Sequence, residues 1–117
     1  MKPTKVYLAI PYSFNPELSY KIANTVAAKL MVEGYVVFSP ISHSHPIADS
    51  LPEELRTDHD FWMKQDLPML EWADELHVVE LGGNLTENSR GVNEEMDTAF
   101  KLNKPIKYIF YGQEGIL

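Results

Sequence analysis

Hydrophobic positions along this chain alternate between two periods. Lys5-Val-Tyr-Leu-Ala-Ile10 is a short apolar run closed by Pro11, which predicts a buried strand. Asn15-Pro16-Glu17 then opens a helix: Asn15 can cap it, Pro16 suits its first position, and Glu17 complements its dipole. Ile22, Ala23, Val26, Ala27 and Leu30 make its apolar stripe, and Gly34 stops it. Tyr35–Ser39 reads as a second strand. Ile41–Pro52 is polar and rich in His and Pro, which predicts a long loop of the kind that often carries function. Glu53–Ala73 is helical in tendency, with Pro68 expected to kink or restart it and Asp66 expected as the new cap. Glu75–Leu81 is a third strand, Gly82-Gly83-Asn84 a loop, Ser89–Leu102 a helix, and Ile106–Tyr111 a fourth strand.

Strands alternate with helices, and no hairpin signal lies between them. That order predicts an α/β fold: a doubly wound parallel sheet of four or five strands with helices on both faces. Ligands of such sheets bind at the carboxyl ends of the strands. Here those ends are residues 10–15, 40–46, 81–89 and the segment from Tyr111 onward.

Length and charge narrow the partners. The chain has 117 residues, the size of one ordinary domain spanning 1–117. It contains no cysteine, which excludes disulfides, zinc–thiolate sites and thiol catalysis and fits a cytoplasmic protein. The amino terminus shows no signal-peptide core, and no apolar run approaches the roughly 18 residues of a membrane span. The net charge of -7 argues against a nucleic-acid polymer as partner. A mononucleotide, which needs only one or two local donors, stays open.

The last helix carries an anomaly. With Val92 at 0° and steps of about 100°, Met96, Ala99, Phe100 and Leu102 fall at about 40°, −20°, 80° and −80° and define the buried stripe. Glu95 falls inside that stripe at about −60°, while Glu94 and Asp97 point to solvent. A carboxylate aimed at the sheet must be neutral, paired or functional, because burying it unpaired is costly. The plainer alternative is a boundary residue that pairs with a nearby Arg.

Asp74, at the junction of a helix and the third strand, is a second candidate, or else a turn residue. Asp58, Asp60 and Asp66 are weaker, since acids on helix faces are usually solvated. His43 and His45 form one close pair without a defined third ligand, so no metal is expected, and they read instead as ligand hydrogen-bonders. Ser13, Ser89 and Arg90 lie at or beside helix N-termini, where orphan N–H groups favour anions, although Ser89 also reads as a plain cap. Tyr7 and Tyr12 can position a ligand or belong to the core. No glycine-rich phosphate loop and no nucleophile elbow is present.

Taken in order, Tyr7-Leu-Ala-Ile-Pro-Tyr12, Gln65-Asp-Leu67 with Ala73-Asp74, Ser89-Arg-Gly-Val-Asn-Glu-Glu95 with Ala99, and Asn103-Lys-Pro105 resemble the nucleoside 2-deoxyribosyltransferase superfamily, which includes the 2′-deoxynucleoside 5′-monophosphate N-glycosidases. The resemblance spans about residues 5–110 and is nearest to a bacterial and phage branch with the Ser39–Pro46 and Ser89–Val92 signatures. It implies a flavodoxin-like fold and an enzyme acting on a nucleoside or nucleotide without a cofactor. Glu95 would be the nucleophile, Asp74 would polarise the departing base and Tyr7 would hold Glu95. Ser89, and groups near Ser13, would touch the sugar or its 5′ substituent. A homodimer or higher oligomer is implied too, and Phe61, Trp62 and Trp72, off the helical stripe, are expected to be exposed. Pro11-Tyr12-Ser13, Arg90 and the His43–His45 segment depart from the family pattern and leave base, sugar and phosphate preference open. The alternative reading is a non-catalytic nucleotide-binding or sensing domain.

Overall fold

A computed structural model describes residues 2–112; the far part of the expected rim after Tyr111 lies outside the described residues. The elements run β1 (Lys5–Ala9), α1 (Pro16–Val32), β2 (Val36–Phe38), α2 (Pro40–Ala48), α3 (Glu53–Arg56), α4 (His59–Trp72), β3 (Glu75–Glu80), α5 (Arg90–Lys101) and β4 (Ile106–Phe110). The sheet has the order β2-β1-β3-β4, and every pairing is parallel. This is the doubly wound, flavodoxin-like order. Its switch point lies at β1, whose two neighbours are reached by crossovers in opposite directions.

Alternation within β1 divides the core. Val6, Leu8 and Ile10 face α1 and pack on Ile22, Ala23, Val26, Ala27 and Leu30. Tyr7 and Ala9 face the other way, with Leu70 and Ala73 of the α4 end and Val92 and Ala99 of α5. Helices therefore cover both faces. The caps sit where chain chemistry puts them: Asn15 accepts from Leu18 N–H, Asp58 from Phe61 N–H and Ser89 from Val92 N–H. Gly34, at φ +105°, ends α1 in a conformation open to glycine. Among the described residues no helix is long and apolar enough to cross a membrane.

Three expectations need correction. The predicted loop at Ile41–Pro52 begins as helix α2. Pro40 occupies its first turn, and Ser44 Oγ donates to the Pro40 carbonyl at 2.5 Å, so serines and prolines are built into a helix whose inner side is Pro40, Ile41, Ser44, His45 and Ala48. Next, Pro68 does not restart α4. It lies on the exposed side, where water can satisfy the carbonyl it leaves unpaired, and Asp66 is a buried mid-helix residue instead of a cap. Finally, Phe100 is 76% exposed and Leu102 38%: the buried line of α5 runs through Val92, Glu95 and Ala99, Phe100 stands about 100° away from it, and Leu102 caps the end of the helix.

Candidate active site

A cavity of about 700 Å³ opens at the carboxyl ends of β1 and β3. Its apolar wall includes Leu8, Ile10, Ile41, Trp62, Met63 and Val92; its polar groups come from the β1–α1 turn, α2, α4 and the start of α5. The volume falls within the usual span for small-molecule sites.

Glu95 lines this cavity from the second turn of α5 and is 6% exposed. Tyr7, wholly buried in β1, donates its hydroxyl proton to Glu95 Oε2. Burial pushes the Glu95 carboxyl up to about 8; the Tyr7 hydrogen bond pulls the other way, and the nearby Asp66 and Glu94 add to the rise. Asp66, also 6% exposed, lines the same cavity, and burial raises it to about 6. Tyr7 is itself raised well above the usual phenol range, first by burial and then by Glu95.

These two carboxyls near one another in an apolar setting cannot both ionise cheaply. Near neutral pH the pair therefore retains a proton, which leaves one carboxylate available as a base or nucleophile and one carboxylic acid available as a proton donor.

The structure brings together Tyr7, Glu95, Ser13, Ser89, Arg90, Tyr12 and His45: all but Tyr7 line the cavity, and Tyr7 touches Glu95. Ser13 and Arg90 are exposed at its mouth, and Arg90 makes a loose 4.0 Å pair with Asp60. Tyr12 bonds His45 across the β1–α1 and α2 walls at 2.6 Å. His43 is not among the cavity walls; it lies exposed against the Phe38 ring, which corrects its expected ligand role. Residues two apart on a helix point about 200° apart, so once α2 is helical, His43 and His45 cannot face one ligand as a loop pair could.

Asp74 also departs from expectation. It precedes β3, at the amino edge of the sheet, where its carboxylate accepts from Lys5 N–H at 2.9 Å and its own N–H donates to Lys5 O at 2.8 Å. These bonds clip the starts of β1 and β3 together. At roughly 3.3 Å per residue, the length of β1 puts the cavity about 16 Å away. Asp74 is thus a strand-start clamp, and the buried acid that accompanies Glu95 is Asp66.

Asp66 was legible by the arithmetic that found Glu95: Leu70 and Ala73 follow it at i+4 and i+7, on one face. His59 and Trp62 also serve the site, which was not expected of them. His59 Nε2 donates to Glu94 Oε1 at 2.8 Å, so Glu94 is tied to α4 instead of free in solvent. Trp62 lines the cavity, its indole N–H donating to the Arg56 carbonyl at 2.8 Å. Phe61 and Trp62 are half-buried, so only Trp72 of the three aromatics expected outside is exposed. Among the described residues no group of three His, Asp or Glu converges as a metal site.

Comparison with known proteins places this geometry. The 2-deoxyribosyltransferase of the psychrotolerant bacterium Bacillus psychrosaccharolyticus, described as a biocatalyst for nucleoside synthesis, is 28% identical and superposes with a TM-score of 0.68, over 97% of this chain and 77% of that one. The 2-desoxiribosyltransferase of Leishmania mexicana is 18% identical, with a TM-score of 0.62 over 94% of this chain and 65% of that one, and speaks to the fold alone. No curated protein matches the sequence. The shared parallel sheet is that of these two structures, and by sequence, over residues 4–110, the chain belongs to the family described as Domain of unknown function (DUF1937).

Proposed function

We propose that this protein cleaves or transfers the N-glycosidic bond of a nucleoside or nucleoside 5′-monophosphate, with Glu95 attacking the anomeric carbon. The observation that carries the reading is a buried Glu95 carboxyl in the cavity wall, held by Tyr7 and accompanied by Asp66. Similarity to the Bacillus deoxyribosyltransferase supports it.

In the free site the shared proton rests on Glu95, whose value is the higher; in this reading it passes to Asp66 when the ligand binds, and ionised Glu95 then forms an ester bond to C1′ as the C1′–N bond breaks. The electron pair of that bond leaves with the base, which takes a proton from Asp66. Water or a second base then attacks C1′ and returns Glu95 to its carboxylate; the proton that the acceptor gives up restores Asp66. Two displacements replace one difficult step. The apolar wall of Trp62, Met63 and Val92 suits the base. Arg90, with Ser89 or Ser13, suits a 5′-phosphate at the mouth. Side chains alone serve these steps, with no cofactor. We further infer a homo-oligomer, since Phe100, Tyr108 and Phe110 are exposed apolar groups on α5 and β4; sedimentation at micromolar concentration tests the association.

The deciding experiment incubates the protein with a panel of nucleosides and 5′-monophosphates, with and without a free acceptor base. Released base indicates hydrolysis and exchanged base indicates transfer. Tight binding with neither product would favour a nucleotide-binding module instead.

A further inference from the structure

Where β1 hands over to α1, a second set of polar groups reaches the same cavity. The turn there is clamped: Ser19 Oγ donates to the Pro11 carbonyl at 2.6 Å and Asn15 N–H donates to the Tyr12 carbonyl at 3.3 Å. Tyr12 Oη then lies 2.6 Å from His45 Nδ1, and His45 Nε2 lies 3.1 Å from Glu17 Oε2. Tyr20 stacks on the imidazole with centroids 4.4 Å apart, and Tyr12 meets it edge-on at 5.7 Å. Groups from the turn, α1 and α2 thus hold one ring in one plane.

Each bond in this chain has a direction. A carboxylate can only accept, so His45 Nε2 carries the proton shared with Glu17. In the neutral imidazole Nδ1 is then bare, and it accepts the Tyr12 hydroxyl proton. A phenol has one proton, and this one is committed to His45. What Tyr12 still offers the cavity is an oxygen lone pair.

We propose that Tyr12, oriented by His45 and Glu17, is a specificity residue that accepts a hydrogen bond from a neutral donor on the ligand, a sugar hydroxyl or a base amino group, and turns phosphate away from that end of the cavity. A phosphate oxygen there would meet lone pair against lone pair. The inference rests on the nucleoside reading above and adds a polarity to it: an accepting end at Tyr12, with any 5′-phosphate left to Ser89 and Arg90.

The test uses the full chain as Glu95→Gln, which separates binding from turnover, and calorimetric titration. The ligands are the tightest of the four common 2′-deoxynucleosides, its 3′-deoxy and 5′-deoxy analogues, its analogue lacking the base amino group, and its 5′-monophosphate. Adding Tyr12→Phe should weaken the parent nucleoside roughly tenfold, the scale of one neutral hydrogen bond. It should leave unchanged the one analogue that lacks the group Tyr12 reads; the sugar and base analogues tell the two sources apart. His45→Phe keeps a stacked ring but frees the Tyr12 proton, so it should narrow the preference for the nucleoside over its monophosphate severalfold. The imidazole ¹⁵N spectrum should show His45 with a bare Nδ1. Equal weakening of all ligands by Tyr12→Phe, no weakening of any, or a protonated Nδ1 in neutral His45 would overturn the inference and leave the nucleoside reading standing. If no ligand of the panel binds, the nucleoside reading fails and this inference fails with it.

Discussion

Tyr7 and Glu95, 88 positions apart in the chain, are joined by a buried hydrogen bond from the Tyr7 hydroxyl to Glu95 Oε2. A donor favours the charged carboxylate while burial opposes it, and burial wins, leaving Glu95 at about 8. Tyr7→Phe removes the only one of these effects that lowers the value. The acid limb of the pH–rate profile should therefore move to higher pH, and turnover at neutral pH should fall by about tenfold. An unmoved acid limb in a base-release assay would reduce Tyr7 to packing.

Glu95→Gln should abolish base release, by roughly a thousandfold or more, because a nearby water cannot replace a positioned carboxylate. The fold should persist, since Gln fits the same space and still accepts from Tyr7. A variant that melts like wild type and keeps its rate within about tenfold would move the nucleophile elsewhere.

The same substitution reports on stability. Glu95 and Asp66 are both raised, so the folded state holds protons more tightly than the unfolded chain. Their contribution is fully present below about pH 4, the unfolded range, and is lost as pH rises through about 6 for Asp66 and about 8 for Glu95. Wild type should lose stability relative to Glu95→Gln between about pH 5 and 9, by an amount of the order of a few kcal/mol. Thermal melts of both proteins across that range check the sign; parallel curves would show that Glu95 does not titrate in this way.

Asp66→Asn and Asp74→Asn should separate chemistry from architecture. Loss of a general acid typically costs about a hundredfold or more, with substrates carrying better leaving groups affected least. Asp74→Asn should leave the rate within a few-fold and lower the melting temperature, because it weakens the clamp to Lys5 N–H. The opposite pattern would restore Asp74 to the reaction.

Arg90→Ala should weaken 5′-monophosphates relative to nucleosides, by roughly tenfold for one charge-assisted contact at an exposed site. Paired titrations at low and physiological salt measure it. An unchanged ratio would remove Arg90 from the binding site.

Much of this arrangement is local and was legible along the chain. The caps at Asn15 and Ser89, the stop at Gly34 and the apolar runs of β1 and β3 each depend on neighbouring residues. The inward turn of Glu95 depends only on helical period, and that too reads directly. α2 was not legible because Ser, His and Pro fill six of its nine positions, and their local signal outweighed a period carried by Pro40, Ile41, Ser44, His45 and Ala48. Asp66 was set aside because an acid on a helix reads as solvated until something covers it.

Asp74 shows why the remainder needed the fold. Sequence places it just before β3, at the end opposite the expected ligand rim, but whether all the strands share one direction, and so one rim, is not written in it. The parallel sheet decides that: every strand runs the same way, so residues before β3 gather at one edge with Lys5, and residues after β1 and β3 gather at the other around Glu95. The Tyr7–Glu95 and Tyr12–His45–Glu17 bonds are of the same kind. Periodicity sets the direction of a side chain about its own axis, but a partner 28 to 88 residues away is set by crossovers and register, which exist only once the strands have paired.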